Sequence, residues 1–424
     1  MCNAEVLNST KTKRKDEKFE EYVYVMISTQ NQMVNYIPLK HFQFNKIYNV
    51  TVREENIKYF DNERWDKNLQ EVLKEESVDV DIVNDRNIIP FSQQEVSDIS
   101  TIKNRLEKFI NDNSDKKIFW NMTGGQRPFI LAISQLLEEN SRKNDVVCYL
   151  EGNHNQMVLL KNGKKLEGIV EDYSLDDLTI EVALKLMGFE VKITKTSHRN
   201  LVEDKNIDKN EMEFYLRFLG KFLKLEKKEL RKNLIMLNKK KDEERNKIDQ
   251  DQIKISIKKM EEVKDLNQDK LDKELNQHNA FGYILEKLVG YKILDVAKEK
   301  IADITFGEKI NFWDKKYKVD EHHIDEFDIL LLTKNGKFMV FECKTGGMRG
   351  DVAKSTKYST YAISGVYGLP ILITPLLKDE LSNIDNLDDS YSNIKSAVKA
   401  AKRASLDVWG LDEIKEKLGK YIEL

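Results

Sequence analysis

The chain has 424 residues, which is enough for two or three domains. Its 70 lysines and arginines nearly balance 73 aspartates and glutamates, and the net charge of −3 excludes an overall basic surface for nucleic acid, although not a local one. We expect neither a signal peptide nor a membrane span, because residues 1–20 form a polar tail and no apolar run is long enough. Three cysteines without a CxxC pair indicate a reduced, cytoplasmic protein.

Strands alternate with helices in the first part of the sequence, over residues 21–170. The predicted strands are Tyr22–Ser28, Lys117–Asn121, Val146–Leu150 and Gln156–Leu160. A predicted helix over Pro128–Glu139 carries proline in its favoured first turn. This order predicts an α/β domain with a mostly parallel sheet and helices on its faces.

The middle of the chain, residues 171–277, is predicted to be a helical connector. Ser174–Gly188 has the pattern of a capped helix that ends at a glycine. From about residue 206 the sequence is polar, carries both signs of charge and is nearly free of glycine and proline, while its apolar residues recur at helical spacing. These apolar residues are Ile253, Ile257, Met260, Val263 and Leu266. The lysines of this region could alternatively bind nucleic acid, although the interleaved acidic residues argue against it.

The last part, residues 278–424, is again predicted to be α/β. It begins with an amphipathic helix over Ala280–Lys298. The further predicted elements are the strands Phe327–Thr333, Phe338–Cys343 and Ile371–Thr374 and a helix over Ala353–Val366. The first two of these strands are separated by a short glycine-containing turn and form a predicted hairpin.

The turn of this hairpin decides which side chains face each other. A type I turn with Gly336 as the left-handed bulge residue is a common three-residue loop, and it would place Asp328 opposite Glu342. A two-residue loop would instead place Asp328 opposite Cys343. Glu342 and Lys344 are two residues apart and therefore share one face of the sheet, whereas Cys343 points to the other face and is interpreted as a core residue.

The bulged turn would bring two carboxylates and one ammonium, from Asp328, Glu342 and Lys344, to the end of an apolar strand. A carboxylate among apolar neighbours is costly unless it is paired or holds a metal. Its oxygens suit Mg²⁺ or Mn²⁺, which would generate a hydroxide for attack on a phosphate, while the lysine orients or helps to deprotonate the water. The alternative is a strand-end aspartate beside a solvated Glu/Lys pair. The nearby His322 and His323 are interpreted as exposed histidines rather than metal ligands.

This pattern, with Asp328 followed by the ExK motif of Glu342 and Lys344, resembles the PD-(D/E)xK nuclease superfamily over about residues 278–424. Members of the superfamily usually place a further glutamate on the preceding helix, and Glu286 in GYILEKLV is the matching position. The resemblance implies a restriction-endonuclease-like α/β domain that hydrolyses phosphodiester bonds. It also implies a metal site on the three carboxylates Asp328, Glu342 and Glu286, with Lys344 completing the catalytic set.

A second candidate site is the loop Met122–Arg127, which lies between a predicted strand and a predicted helix. Such a loop exposes backbone N–H groups to an anion and adds the dipole of the helix. Thr123 offers a hydroxyl and Arg127 could reach a phosphate, but the GK[ST] ending of a P-loop is absent. By itself, the sequence Thr-Gly-Gly could also be no more than a helix-capping turn.

The Thr-Gly-Gly loop, together with a polar loop after the first strand, resembles the CARF domains of CRISPR-associated proteins over about residues 21–165. Gln126-Arg127 departs from the x-Lys of the family but keeps a positive charge. The resemblance implies a Rossmann-like domain that dimerises and binds a cyclic oligoadenylate across the two-fold axis. The contact residues that it implies are Thr29, Gln30, Thr123, Gly124, Gly125, Gln126 and Arg127.

A CARF-like domain, a connector and a PD-(D/E)xK-like domain, in this order, resemble the CARF-fused nucleases of type III CRISPR systems. In that family a cyclic oligoadenylate, most often the tetra-adenylate, activates a metal-dependent DNase or RNase. The resemblance implies a homodimeric nuclease of antiviral defence that uses Mn²⁺ or Mg²⁺ and cleaves DNA or RNA. The long charged region from about residue 206 to residue 277 departs from the family pattern.

Three other functions are compatible with the sequence. A ligand-responsive regulator could bind nucleic acid without cleaving it, although the sequence shows no convincing helix-turn-helix and the facing carboxylates would then be unexplained. The first domain could degrade the messenger, alone or beside the nuclease activity. A stand-alone restriction-type endonuclease would cleave without any activator.

Overall fold

The computed structural model describes residues 19–53, 62–78, 80–139, 142–151, 156–166, 171–173, 175–192, 208–224, 228–237, 250–277, 279–312, 323–365 and 368–422. The chain divides into two compact units, Met1–Ser174 with Leu186–Gly188, and Leu175–Lys185 with Phe189–Leu424. Within the described ranges, no helix is both long and apolar enough to cross a membrane.

The first unit is built on an eight-stranded sheet with helices packed against it. Its strands are β1 (Tyr22–Ile27), β2 (Lys46–Val52), β3 (Ile88–Phe91), β4 (Lys117–Asn121), β5 (Val146–Glu151), β6 (Gln156–Lys161), β7 (Lys164–Lys165) and β8 (Glu171–Asp172). Its helices are α1 (Met33–His41), α2 (Asn62–Glu75), α3 (Gln93–Val96), α4 (Ile99–Asp112) and α5 (Arg127–Glu139). The strand order is β3-β2-β1-β4-β5-β6-β7, with β8 paired to β6.

The strands β1 to β5 run parallel, and β6 is antiparallel to β5. All residues of β1 are buried, which accounts for its continuous apolar sequence YVYVMI, since a parallel strand is covered on both faces. The prediction of a mostly parallel sheet is confirmed. Two strands are not predicted from the sequence: β2, in which polar residues interrupt the apolar pattern, and β3, which has only four residues and contains a proline.

The helix predicted over Ser174–Gly188 is shorter in the structure, where α6 spans Ile180–Leu186. The hydroxyl of Thr179 accepts a hydrogen bond of 3.2 Å from the backbone N–H three residues later, so Thr179 caps the helix. Gly188 follows the helix with a φ of +84°, in agreement with its predicted place at the helix end. Ser174 lies outside the described residues.

The second unit contains a six-stranded mixed sheet. Its strands are β9 (Phe189–Lys192), β10 (Ile301–Phe312), β11 (His323–Thr333), β12 (Phe338–Cys343), β13 (Leu369–Ile373) and β14 (Asp407–Trp409). Its helices are α7 (Lys209–Phe222), α8 (Lys228–Leu237), α9 (Gln250–Lys259), α10 (Gln268–Leu275), α11 (Ala280–Ala297), α12 (Gly350–Ser364), α13 (Lys378–Ser382), α14 (Ser392–Ala404) and α15 (Ile414–Ile422). The order is β14-β13-β12-β11-β10-β9, in which β12, β13 and β14 are parallel and the other pairs are antiparallel.

Helices α7 to α10, which come from the predicted connector, pack in the same hydrophobic core as α11 and the sheet of the second unit. The buried apolar residues that they contribute include Phe218, Phe222, Leu234, Ile257 and Leu271. Lys287 of α11 also forms an ion pair of 2.6 Å with Glu211 of α7. The described residues of this region from 208 onward are helical or in turns, as predicted, but the prediction misses the strands β8 and β9 at its start. Burial in the shared core explains the spacing of the apolar residues. The domain limits at residues 170 and 277 stay predictions.

Candidate functional site

The turn between β11 and β12 has the three-residue form. The backbone N–H of Thr333 donates to the carbonyl of Lys337 (3.0 Å), and that of Gly336 donates to the carbonyl of Thr333 (2.9 Å). Gly336 has a φ of +82°, a conformation that glycine adopts without steric cost. The predicted bulged turn is therefore confirmed, and the two-residue alternative is wrong.

This turn sets a strand register that brings the two predicted carboxylates together. Ile329 pairs with Phe341, so the next residues outward, Asp328 and Glu342, face each other as predicted. The Oδ2 atom of Asp328 accepts a hydrogen bond of 2.7 Å from the backbone N–H of Cys343. The aspartate is thereby fixed to the strand that carries the ExK motif.

Lys344 supplies the positive charge of the cluster. Its ammonium pairs with the carboxylate of Glu342 and lies 3.9 Å from Oδ2 of Asp328. The side chains of Asp328, Glu342 and Lys344 are 21%, 10% and 28% exposed. The cluster is thus mostly shielded from water yet open enough for a substrate group to reach it.

Glu286 of α11 adds a third carboxylate to this cluster. Burial raises the pKa of Glu286 to about 7, an effect that the Lys344 ammonium opposes and the Glu342 carboxylate reinforces. Burial also holds the pKa of Asp328 well above its ordinary value, and the charge of Glu342 raises it further. The pKa of Lys344 is raised because Asp328 and Glu342 stabilise its charge more than burial disfavours it. The Lys344 ammonium therefore pairs with Asp328 and Glu342, while Glu286 lies near enough for its charge and theirs to influence one another.

The predicted metal site on Asp328, Glu342 and Glu286 is not formed as such in this structure. In the part of the chain that the structure describes, no three His, Cys, Asp or Glu side chains are arranged to hold one metal ion. The ammonium of Lys344 is instead the cation that pairs with the first two carboxylates. The donor set still fits Mg²⁺ or Mn²⁺, since hard oxygen ligands with excess negative charge are partly buried together. The metal site stays a prediction.

Cys343 and two histidines are the other candidates near the hairpin. Cys343 is buried in the hydrophobic core, where burial raises the pKa of its thiol. It therefore has the core position that its alternation predicts. His322 and the side chain of His323 lie outside the described residues.

The loops predicted to bind the messenger follow β1 and β4, which are adjacent parallel strands. In the strand order β3-β2-β1-β4-β5, β1 is followed in the chain by its neighbour on one side and β4 by its neighbour on the other side. Sheets of this kind bind ligands at the carboxyl ends of the two strands where the order reverses. A β-carbon added to Gly124 would lie 3.0 Å from Cγ2 of Thr29, and one added to Gly125 would lie 2.1 Å from Cγ2 of Ile27. The glycine loop is therefore packed so closely against the end of β1 and the loop after it that a larger residue would displace it.

Asn121, the last residue of β4, holds the glycine loop in place. Its side-chain amide donates to the hydroxyl of Tyr24 and to the carbonyl of Val34, both at 2.9 Å. Its Oδ1 atom accepts from the backbone N–H (3.1 Å) and from the hydroxyl (2.8 Å) of Thr123. The same hydroxyl accepts from the backbone N–H of Leu150 (3.0 Å). Thr123 thus fixes the loop in this structure, and its contact with a ligand stays a prediction.

Asp66 of α2 holds the loop after β1. Its carboxylate accepts hydrogen bonds from the hydroxyl of Ser28 (2.6 Å), the amide of Gln32 (2.8 Å) and the amide of Asn49 (2.7 Å). Asp66 is only 1% exposed, and this burial raises its pKa to about 6 although the three hydrogen bonds lower it. The loop conformation therefore depends on a buried carboxyl group.

Asn121 and Asp66 are positioning residues that the sequence analysis misses, although the sequence carries a signal for each. Asn121 is a polar residue that ends the apolar run KIFWN directly before Thr-Gly-Gly. Asp66 lies at helical spacing with the buried residues Leu69 and Leu73, on the apolar face of α2. A polar residue in such a position is buried only when it is hydrogen-bonded.

The remaining predicted ligand contacts are accessible. Thr29 and Gln126 are half-buried, whereas Gln30 and Arg127 are exposed. Arg127 is the first residue of α5, so its charge lies at the helix end that carries the positive pole of the dipole. The carboxyl edge of the sheet therefore combines a cation, a helix N-terminus and a glycine loop, which together suit a phosphate group.

The chain is similar to two solved structures over nearly its whole length. The protein VC1899 from Vibrio cholerae has a TM-score of 0.61 at 16% identity, with 95% of this chain and 98% of that chain covered. Can2 from Sulfobacillus thermosulfidooxidans, solved in complex with cyclic tetra-adenylate, has a TM-score of 0.60 at 15% identity, with 95% and 98% covered. No family model and no curated protein matches the sequence. The similarities show the fold, which is α/β with a Rossmann-like, mostly parallel sheet in the first unit.

Proposed function

We propose that this chain is a metal-dependent nuclease that a cyclic oligoadenylate activates. The observation that carries the proposal is the register of β11 and β12, which sets Asp328 beside Glu342 with Lys344 on the same face. A hairpin register has to be right to within one residue for these charges to meet. If these three residues were only a solvated strand end, their charged side chains would not need to be partly buried.

The carboxylates Asp328, Glu342 and Glu286 would hold Mg²⁺ or Mn²⁺, which supplies charge neutralisation at the phosphate and an activated water when bound. The Cys343 N–H fixes the orientation of Asp328. Lys344 contributes a persistent positive charge, since its pKa is raised, and this charge positions the attacking water and balances the phosphate in the transition state.

The messenger would bind at the carboxyl edge of the first sheet. Thr29, Gln30, Gln126 and Arg127 are accessible there, and the backbone N–H groups of the glycine loop suit a phosphate. The fold similarity to Can2, which was solved with cyclic tetra-adenylate, supports this ligand class. We propose that two copies of the chain bind one ring across a two-fold axis. The ring would activate cleavage only if it binds the active state more tightly than the inactive state.

The substitution Glu342→Ala tests the proposal. We expect it to abolish cleavage and to leave the affinity for cyclic tetra-adenylate unchanged, because Glu342 belongs to the second unit and the ligand loops to the first. The matched control is Glu299→Ala, which removes an exposed carboxylate just after α11 and should preserve both properties. Cleavage by Glu342→Ala at the wild-type rate would show that the active site is placed wrongly.

A further inference from the structure

A cleft of about 940 Å³ begins at Gly347, three residues after Lys344 in the sequence. Its walls are the loop after β12, the start of α12 and one face of α14. The α14 wall runs from Ser392 to Ala404, a length of about 18 Å at the rise of an α-helix. The cleft is therefore long enough for several nucleotides of an extended strand.

Positive charge dominates the lining of this cleft. The cationic side chains that line it are those of Arg349, Lys354, Lys395, Lys399 and Arg403. Within the described ranges, no acidic side chain lines it. The chain as a whole carries a charge of −3, so this concentration of one sign is local. A concave surface of one charge attracts a ligand of the opposite charge.

Two of these cations are free to pair with a ligand. Arg349 pairs with the carboxylate of Asp351 (3.5 Å), Lys395 donates to the backbone carbonyl of Asp385 (3.2 Å), and Lys399 pairs with the Asp385 carboxylate (3.1 Å). Lys354 and Arg403 are exposed and form no ion pair with any residue that the structure describes. A phosphate bound between α12 and α14 would give both of them a partner.

Exposed tyrosines continue this surface along α12. Tyr358 lies one turn after Lys354 on the same helix face, and its side chain is 73% exposed. Tyr361 is 39% exposed, with the ammonium of Lys357 at 5.7 Å from its ring centre. Aromatic rings interleaved with cations are the surface on which unpaired bases stack.

We infer that the cleft binds the phosphodiester backbone of a single nucleic-acid strand, with an unpaired base stacked on Tyr358. The inference rests on the proposed function, because it places the substrate strand beside the catalytic hairpin. The bases of a duplex are already stacked and paired, so a duplex would leave Tyr358 unused. Since DNA and RNA share the phosphodiester backbone, the cleft itself would accept either.

Fluorescence anisotropy of labelled oligonucleotides with the full chain, in EDTA so that binding is measured without cleavage, tests this inference. We expect Lys354→Glu and Arg403→Glu each to weaken binding of single-stranded DNA or RNA about tenfold and to lower the salt dependence by about one phosphate contact. The matched control Lys402→Glu makes the same charge change on the neighbouring α14 residue, which is exposed but outside the cleft lining, and should leave affinity within about twofold.

The tyrosine is tested with Tyr358→Ala, which should weaken binding of single strands about tenfold and leave binding of duplex DNA nearly unchanged. Tighter binding of one of the two oligonucleotides, DNA or RNA, would identify which nucleic acid the cleft prefers. Three results would each contradict strand binding in the cleft. They are equal losses of affinity in Arg403→Glu and Lys402→Glu, unchanged affinity in Arg403→Glu, and no binding of oligonucleotides by the wild type. Retained cleavage in Glu342→Ala would contradict the proposed active site alone, so the two failures are distinguishable.

Discussion

The carboxylate of Asp328 lies 2.7 Å from the backbone nitrogen of Cys343, which donates a hydrogen bond to it. This bond joins Asp328 of β11 to β12, which carries Glu342 and ends one residue before Lys344. The facing carboxylates therefore belong to a fixed strand register, because a slip of one residue would turn them to opposite faces.

The ammonium of Lys344 should be required for cleavage. We expect Lys344→Met to lower the rate about 100-fold or more, because the substitution removes the only positive charge that contacts Asp328 and Glu342 among the described residues. The control is Lys292→Met on α11, which removes a surface pair with Asp295 and should leave the rate nearly unchanged. Single-turnover kinetics at saturating messenger measure both rates. A rate near the wild-type value in Lys344→Met would exclude the lysine from the chemistry.

Glu286 should set the metal requirement. We expect Glu286→Gln to raise the Mn²⁺ concentration for half-maximal cleavage about tenfold or more, because the substitution removes one of three carboxylates from the cluster. Titration of cleavage with Mn²⁺ measures this, and Glu299→Gln is the matched exposed control. An unchanged Mn²⁺ requirement would mean that Glu286 does not serve the metal.

Alanine substitutions at two glycines test whether the glycine loop of the first unit binds the messenger. Gly125 has a φ of +92°, and a β-carbon there would lie 2.1 Å from Ile27, whereas Gly163 has a φ of +69° with nothing within 4 Å. Both alanine variants have a backbone cost of about 1 kcal/mol, but only Gly125→Ala must displace the loop. We expect Gly125→Ala to weaken binding of cyclic tetra-adenylate about tenfold or more, and Gly163→Ala to preserve it. Calorimetric titration gives both affinities, and equal values would place the ligand elsewhere.

Asp66 should make stability depend on pH. Its pKa is about 6 in the folded chain against an ordinary 3.8, so the folded state binds this proton more tightly. The resulting stabilisation is complete below about pH 4 and is lost as the pH rises through about 6. We expect the free energy of unfolding, taken as wild type minus Asp66→Asn, to fall by about 2 kcal/mol between pH 4 and pH 7.

Urea titrations of the wild type and Asp66→Asn across this range measure the difference. The variant also loses one acceptor for the amide of Asn49, but that loss is the same at every pH and leaves the slope unaffected. A difference that does not change with pH would contradict the assignment.

The sequence was most informative where local rules decide the structure. The turn at Gly336 follows from the conformational preference of glycine, and with it the register that pairs Asp328 with Glu342. The helix α11 and the strand β12 also match their predicted limits within one residue. Each of these features depends on residues close together in the chain.

Features that depend on distant residues could not be predicted from the sequence. Asp66 is buried only because Ser28, Gln32 and Asn49, from other elements, supply its hydrogen bonds. The packing of α7 to α10 in the core of α11 likewise depends on partners far along the chain. The spacing of apolar residues predicts a helix and its buried face, but not the partner of that face.

Cleavage assays with and without a cyclic oligoadenylate test whether the chain is a nuclease that a messenger activates. Single-stranded RNA, single-stranded DNA and supercoiled plasmid would each be incubated with the chain in Mn²⁺ or Mg²⁺, together with cyclic tri-, tetra- or hexa-adenylate or with none. We expect cleavage only when one of these rings is present. Cleavage that is equal with and without a ring would contradict the activation by a messenger, and no cleavage under any of these conditions would contradict the nuclease.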